Sequence, residues 1–183
     1  MKKMDKKHKG ISKFLSLILR HRPEVIDLKL DENGWANTNE LLEKINTNDN
    51  ELDFETLKQI VETNPKQRFI FNSSFDKIRA NQGHSIAIEL DLQHQNPPLI
   101  LYHGTAKQFV ESIMETGIEK RSRQHVHLSK DKEIANSVGQ RHGKPLVITV
   151  LAQQMAQNGH LFYLSENGVW LTEHVPPEYL RIL

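Results

Sequence analysis

Six residues near the middle of the chain, Gln93-His94-Gln95-Asn96-Pro97-Pro98, constrain its fold more than any others. Proline fixes its own φ, offers no backbone N–H and pushes the residue before it away from helical geometry. A polar run that ends in two prolines therefore reads as a stiff linker with little to pack. The hydrophobic pattern differs on its two sides, helical spacing before it and short apolar runs alternating with helical segments after it. The expectation is an α+β chain in two lobes, residues 1–93 and 94–183. At 183 residues the chain is long enough to give each lobe a core.

In the first part, Ile11, Phe14, Leu15 and Ile18 recur at helical spacing and predict a helix from Ile11 to about Arg20, closed by Pro23. Trp35-Ala36-Asn37 reads as a short strand after the Asn33-Gly34 turn. Asn37 or Thr38 then caps a helix carrying Leu41, Leu42 and Ile45, and Asp53 caps a third with Phe54, Leu57, Ile60 and Val61. Arg68 to Phe71 and Lys77 to Ala80 read as two strands of a hairpin. Three helices followed by a hairpin is the element order of a winged helix.

Beyond the linker, Leu99 to Tyr102 reads as a buried strand, and Thr105 as the cap of a helix that ends at Gly117. His125 to Leu128 reads as a strand, Asp131 to about Arg141 as a helix, and Leu146 to Leu151, apolar and β-branched, as another strand. Phe162 to Leu164 and Val169 to Leu171 are split by the turn Glu166-Asn167-Gly168.

Composition excludes several kinds of chemistry. With no cysteine, the chain has no disulfide scaffold, thiolate-held metal, iron–sulfur cluster or thiol nucleophile. No run approaches the roughly 18 apolar residues of a membrane span. The lysine-rich start leads into an amphipathic segment rather than an apolar signal core, so a cytoplasmic protein is expected. The balance of 24 Lys+Arg against 23 Asp+Glu conceals separated blocks. Residues 1–24 hold eight basic and two acidic side chains, residues 31–62 two basic and nine acidic, and residues 119–144 seven basic and three acidic. Such blocks are either solvated faces or the ground for binding an anion.

Arg20-His21-Arg22 closes the first helix, where cations favour the negative end of the helix dipole. The same trio can bind a phosphate, since Arg presents a fork of donors and His can protonate an oxygen. Arg68 and Arg79 fall in the hairpin strands. Arg121 and Arg123, if on one strand, project the same way. His103-Gly104-Thr105 falls between a strand and a helix. Glycine there admits a ligand close to the backbone, and the following helix N-terminus favours an anion, although a plain strand-to-helix turn explains the tripeptide as well. His125-Val126-His127 puts two imidazoles on one strand face, yet no third ligand has metal-site spacing, so no metal is expected. There is no Walker loop, Gly-x-Gly-x-x-Gly, Gly-x-Ser-x-Gly or His-Glu-x-x-His.

Four segments in order, Leu17-Ile-Leu-Arg-His-Arg-Pro23, Ile78-Arg-Ala-Asn-Gln-Gly-His-Ser85, Leu101-Tyr-His-Gly-Thr105 and Arg123-Gln-His-Val-His-Leu-Ser129, resemble the NAD-dependent RNA 2′-phosphotransferases. The resemblance runs from about residue 10 to 175. It implies an N-terminal winged-helix lobe that binds RNA and a C-terminal, mixed α/β lobe similar to the ADP-ribosyltransferase fold that binds NAD. It implies that an internal RNA 2′-phosphate attacks C1″ of NAD⁺ and expels nicotinamide, after which O2″ attacks the phosphorus. The products are 2′-OH RNA and ADP-ribose 1″,2″-cyclic phosphate, NAD⁺ being consumed as a co-substrate.

The family's essential Arg-His-Arg-Arg set matches Arg20, His21, Arg68 and Arg123. The three arginines then clamp the phosphate, and His21 moves a proton in the second step. His103, Gly104 and Thr105 match the first signature of the ADP-ribosyltransferases, His127 the second and Val169 the third, where many relatives keep a glutamate. Ser129, Arg79 and the Asn81-Gln82-Gly83 turn are further NAD contacts on this resemblance. The partners implied are RNA with an internal 2′-phosphate and NAD⁺, with no membrane, and the protein a monomer. Two other readings remain: an ADP-ribosyltransferase acting on terminal phosphates of nucleic acid, and a non-catalytic winged-helix protein that binds RNA and ADP-ribose.

Overall fold

The basic, amphipathic opening segment forms helix α1 (Lys6–Arg20) in the computed structural model, which describes residues 6–47, 52–90 and 92–182. Lys2 and Lys3 of the basic run and residues 48–51 of the acidic one lie outside the described residues. The helix starts five residues before the expected Ile11, because no proline from Lys6 to Gly10 breaks it and one exposed glycine is tolerated. It stops where expected. The amides of His21 and Arg22 both fold back on Leu17 O, at 3.0 and 2.9 Å, and Pro23 opens a short 3₁₀ turn, Pro23–Ile26.

The chain is α+β and divides into two compact units, Met1–Asp91 and Leu92–Leu183. In the first, α1 is followed by β1 (Ala36–Asn37), α2 (Thr38–Asn46), α3 (Phe54–Glu62), β2 (Phe69–Phe71) and β3 (Lys77–Ala80). Both predicted caps are made: Asn37 Oδ1 accepts from Asn39 and Glu40 N–H at 3.0 Å, and Asp53 Oδ1 from Thr56 N–H at 2.7 Å. The strands form an antiparallel sheet of order β1-β3-β2, with Ile70 opposite Arg79. Arg68 stands one residue before β2 rather than in it. Leu15, Ile18 and Leu19 of α1 are fully buried with Leu41, Leu57, Ile60 and Ile78. Burial of each such side chain is worth about 1.5–3 kcal/mol.

The second unit begins with the run expected as a linker, which is tied down by backbone bonds and at Pro97 although Gln93 to Asn96 are exposed. Pro97 is buried, Gln95 N–H donates to Phe162 O at 2.8 Å, and His94 bridges to Tyr163. Then come β4 (Leu101–Ala106), α4 (Val110–Thr116), β5 (Ile118–Glu119), β6 (Val126–Leu128), α5 (Lys132–Gly139), β7 (Pro145–Val150), α6 (Ala152–Gln157), β8 (Tyr163–Leu164), β9 (Trp170–Thr172), β10 (His174–Val175) and β11 (Leu180–Ile182). One sheet runs β11-β7-β4, another β6-β9-β8, and β5 pairs with β10. Tyr102 and Ser129 exchange backbone hydrogen bonds of 2.8 and 2.9 Å, which join β4 to the end of β6.

Four local expectations are overturned here. Leu99 is exposed, and the strand instead covers 101–106, because β7 pairs with every residue from Leu101 to Ala106. Thr105 is therefore buried inside β4 opposite Leu146 and caps nothing; a 3₁₀ turn, Lys107–Phe109, leads into α4. Arg121 takes φ 52° in a turn, so Arg121 and Arg123 share no strand face. His125 precedes β6 rather than lying in it, and its ring packs on Tyr163 with centroids 5.7 Å apart.

Candidate active site

The end of α1 gathers side chains from three parts of the first unit. Arg20 Nη2 donates to Arg68 O at 3.3 Å, and its guanidinium lies 5.9 Å from the Phe69 ring centre. Asn81 N–H donates to the same Arg68 carbonyl at 2.9 Å, and Asn81 Nδ2 to Gln67 O at 2.6 Å. The segment after β3 then returns to the helix. Ser85 N–H caps Arg20 O at 2.9 Å, and Ser85 Oγ lies 3.0 Å from His21 Nδ1. Gly83, at φ +86°, passes so close that a Cβ would stand 3.6 Å from Arg20 Nη1. Arg20 and His21 are thus held beside the main chain of Arg68, although 48 residues separate the two arginines. Arg79 belongs to its edge, with its guanidinium 4.5 Å from the Trp35 ring centre.

Behind these groups sits His84, 1% exposed and with neither ring nitrogen hydrogen-bonded. Burial first, and then Arg20, His21 and Arg79, push its pKa down to about 3, so it is neutral at physiological pH. Sequence reading passed over His84 as a functional candidate. Its only signal was an imidazole in a Gly-His-Ser turn, which periodicity does not mark as buried.

The second unit brings together His103, Arg123 and His127. His103 Nδ1 lies 3.2 Å from His127 O; a carbonyl only accepts, so Nδ1 carries the proton and Nε2 keeps its lone pair. Burial lowers the His103 pKa; the hydrogen bond to His127 opposes this and Arg123 adds to it. Arg123 Nη1 lies 2.9 Å from His127 Nδ1, and a guanidinium only donates, so His127 is the opposite tautomer. Desolvation and then Arg141 lower the Arg123 pKa, although much of its surface is open and it stays charged.

The remaining candidates are placed differently. Gly104 and Thr105 face structure rather than space: a Cβ on Gly104 would stand 1.7 Å from Ala135 O of α5. The turn and helix N-terminus expected after them are absent from that position. Ser129 Oγ accepts from Asp131 N–H at 3.0 Å, just ahead of α5, and Asp131 in turn accepts from Glu133 and Ile134 N–H. Half-buried Val169 closes the β8–β9 turn through Ser165, whose Oγ accepts from Val169 N–H at 3.0 Å. Among the described residues no group of three or more His, Asp or Glu is arranged to hold a metal ion, and no helix is long and apolar enough to cross a membrane.

Comparison with known proteins gives a consistent result. Residues 6–174 match the family described as RNA 2′-phosphotransferase, Tpt1 / KptA family. A Flavobacterium johnsoniae protein named "Probable RNA 2′-phosphotransferase" is 58% identical over 173 residues, which are 94% of this chain and 95% of that protein. Proteins of the same name from Fusobacterium nucleatum and Acaryochloris marina are 54% and 52% identical, over 93% and 96% of this chain and 96% and 97% of theirs.

Proposed function

The chain belongs to the RNA 2′-phosphotransferase, Tpt1 / KptA family, and on that premise we propose that it transfers an internal RNA 2′-phosphate to NAD⁺. The first unit, which ends at Asp91, is then the winged-helix, RNA-binding lobe expected over residues 1–93, and the second, which starts at Leu92, the ADP-ribosyltransferase-like lobe expected over residues 94–183 that takes NAD⁺. In this reading a 2′-phosphate oxygen bonds to C1″ as nicotinamide leaves with the electrons of the glycosidic bond. O2″ then bonds to phosphorus, the P–O2′ bond breaks, and a proton completes the RNA 2′-OH.

The observation that carries the reading is that Arg20 and His21 meet the main chain of Arg68 at the end of α1, tied there by the Arg20, Asn81 and Ser85 hydrogen bonds. Arg20, Arg68 and Arg123 each offer planar donors that match phosphate oxygens and can stabilise the charge of a phosphorane-like transition state. The nucleophile is already an anion, so the first step needs orientation more than a base. His21 serves the second step by taking the O2″ proton. The donor set of the second unit suits NAD⁺. His103 Nε2 is an acceptor for a ribose hydroxyl, while Arg123 and Arg141 repel each other and gain from an anion. Thr105, Ser129, His127, Val169 and Arg79 stand as outer contacts, and Gly104 as the residue that lets α5 approach His103's strand.

The test is incubation with NAD⁺ and either an internally 2′-phosphorylated or a 5′-phosphorylated oligonucleotide. Loss of the 2′-phosphate with release of nicotinamide and ADP-ribose 1″,2″-cyclic phosphate is expected. ADP-ribosylation of the 5′-phosphate alone would replace the reading with terminal modification, and binding without nicotinamide release would replace it with a non-catalytic role.

A further inference from the structure

Ser85 is doubly tied to the end of α1. Its N–H donates to the carbonyl of Arg20 and its Oγ lies on His21 Nδ1, at 2.9 and 3.0 Å. Neither bond depends on a loosely placed loop. The preceding residue, His84, is buried to 1% exposure, and Gly83 takes the left-handed φ of +86° that turns the chain back along Arg20. Ser85 itself is exposed, so its side chain is not part of the core and contributes little by packing. His21 is exposed too, and an exposed imidazole not held at Nδ1 rotates about χ1 and χ2 and exchanges tautomers freely.

We infer that Ser85 is the positioning residue for His21, accepting a hydrogen bond from Nδ1–H so that Nε2 is the lone-pair atom offered to the reaction. This rests on the proposed two-step reaction. Imidazole free in water prefers its proton on Nε2, which leaves the wrong atom basic. A serine hydroxyl can donate or accept; in the accepting role inferred here it reverses that preference, as the third member of a nucleophile–base–orienter set does. The proton then passes from the ribose O2″ to His21 Nε2 while O2″ bonds to phosphorus, and it returns from Nε2 to the RNA O2′ as that oxygen leaves. Protons balance and no further co-reactant is needed. Attack by the anionic 2′-phosphate in the first step needs no such base, so the two steps should respond unequally to loss of the hydroxyl.

The experiment compares full-length wild type, Ser85→Ala and Ser85→Thr. The His21 ring is read by long-range ¹H–¹⁵N NMR, its signals assigned with His21→Asn. In the wild type Nδ1 should carry the proton; in Ser85→Ala the ring should revert to the Nε2–H form, and Ser85→Thr should restore the wild-type pattern. In single turnover with 2′-phosphorylated RNA and NAD⁺, Ser85→Ala should slow the second step at least about tenfold. ADP-ribosylated RNA should accumulate, the first step should hardly change, and the pH profile of the second step should shift. Unchanged His21 ring signals in Ser85→Ala, or equal slowing of both steps, overturn the positioning role. Absence of any NAD⁺-dependent dephosphorylation by the wild type overturns the reaction instead, and leaves the NMR comparison to decide the tautomer.

Discussion

Gly104 lies directly against Ala135: a Cβ added to the glycine would stand 1.7 Å from the Ala135 carbonyl oxygen. Gly139, one turn further along α5, repeats the contact from the other side, where a Cβ would stand 2.4 Å from Thr105 O. Helix and strand meet here backbone to backbone. The glycine of His103-Gly104-Thr105 is thus accounted for by helix-on-strand packing, with no ligand needed at its α-carbon.

Gly104→Ala should accordingly fail by destabilisation. Inserting even one methyl into a packed contact costs about 1–3 kcal/mol, and the obstacle is main chain, which yields less readily than a side chain. Urea unfolding measures it, with Gly139→Ala expected to behave alike. Near-wild-type stability in Gly104→Ala, with NAD⁺ use lost, would return the glycine to a ligand-binding role.

If the proposed reaction holds, Arg123→Ala should accumulate ADP-ribosylated RNA or abolish both steps, since it removes the guanidinium proposed to bind the phosphate and the donor that holds His127 Nδ1 at 2.9 Å. Arg123→Lys keeps the charge but loses the planar fork, so its activity should fall between the two. Product analysis by denaturing gel and mass spectrometry reads both variants. Wild-type turnover by Arg123→Ala removes Arg123 from the site.

Asp53→Ala tests a feature readable from sequence alone. Its carboxylate accepts from Thr56 N–H at 2.7 Å and caps α3, whose Leu57 and Ile60 are fully buried in the first core. Loss of the cap should lower stability by about 1 kcal/mol, with Asp53→Asn close to wild type. A thermal melt distinguishes them, and equal melting of Asp53→Ala and wild type would mean that water replaces the cap without cost.

That cap shows which parts of this fold the sequence discloses. Asn37 and Asp53, Pro23 and Gly117 act on neighbours within four residues, and each begins or ends a helix where reading placed it. Thr105 looked like another such cap and was not. Its strand is extended by β7, about forty residues on, and a local signal loses to six consecutive cross-strand partners. The backbone ties of the Gln93–Pro98 segment are hidden from sequence for the same reason, because its partners Phe162 and Tyr163 are remote along the chain. At the site, residue types and order were legible through resemblance. The Ser85–His21 bond, the opposite tautomers of His103 and His127 and the burial of His84 all depend on tertiary contacts.

His84 yields a prediction for the pH dependence of stability. Its pKa is held near 3 in the folded protein, against the ordinary imidazole value of 6.5 expected once unfolded. Above pH 6.5 the imidazole is neutral in both states and imposes no pH dependence. As the pH falls below 6.5 the unfolded chain takes up a proton that the folded protein refuses, beside Arg20 and Arg79 and out of water. Stability is therefore present in full above pH 6.5 and lost as the pH falls toward 3, with a limiting slope of about 1.4 kcal/mol per pH unit. Between pH 7 and pH 5 this single group should contribute a loss of about 2 kcal/mol. His84→Gln, which cannot titrate, should show a correspondingly shallower decline in urea-unfolding free energy over that interval, even where its stability at pH 7 is lower. Parallel declines in the two proteins would show that a proton reaches His84 in the folded state, so that neither its burial nor the neighbouring cations hold it neutral.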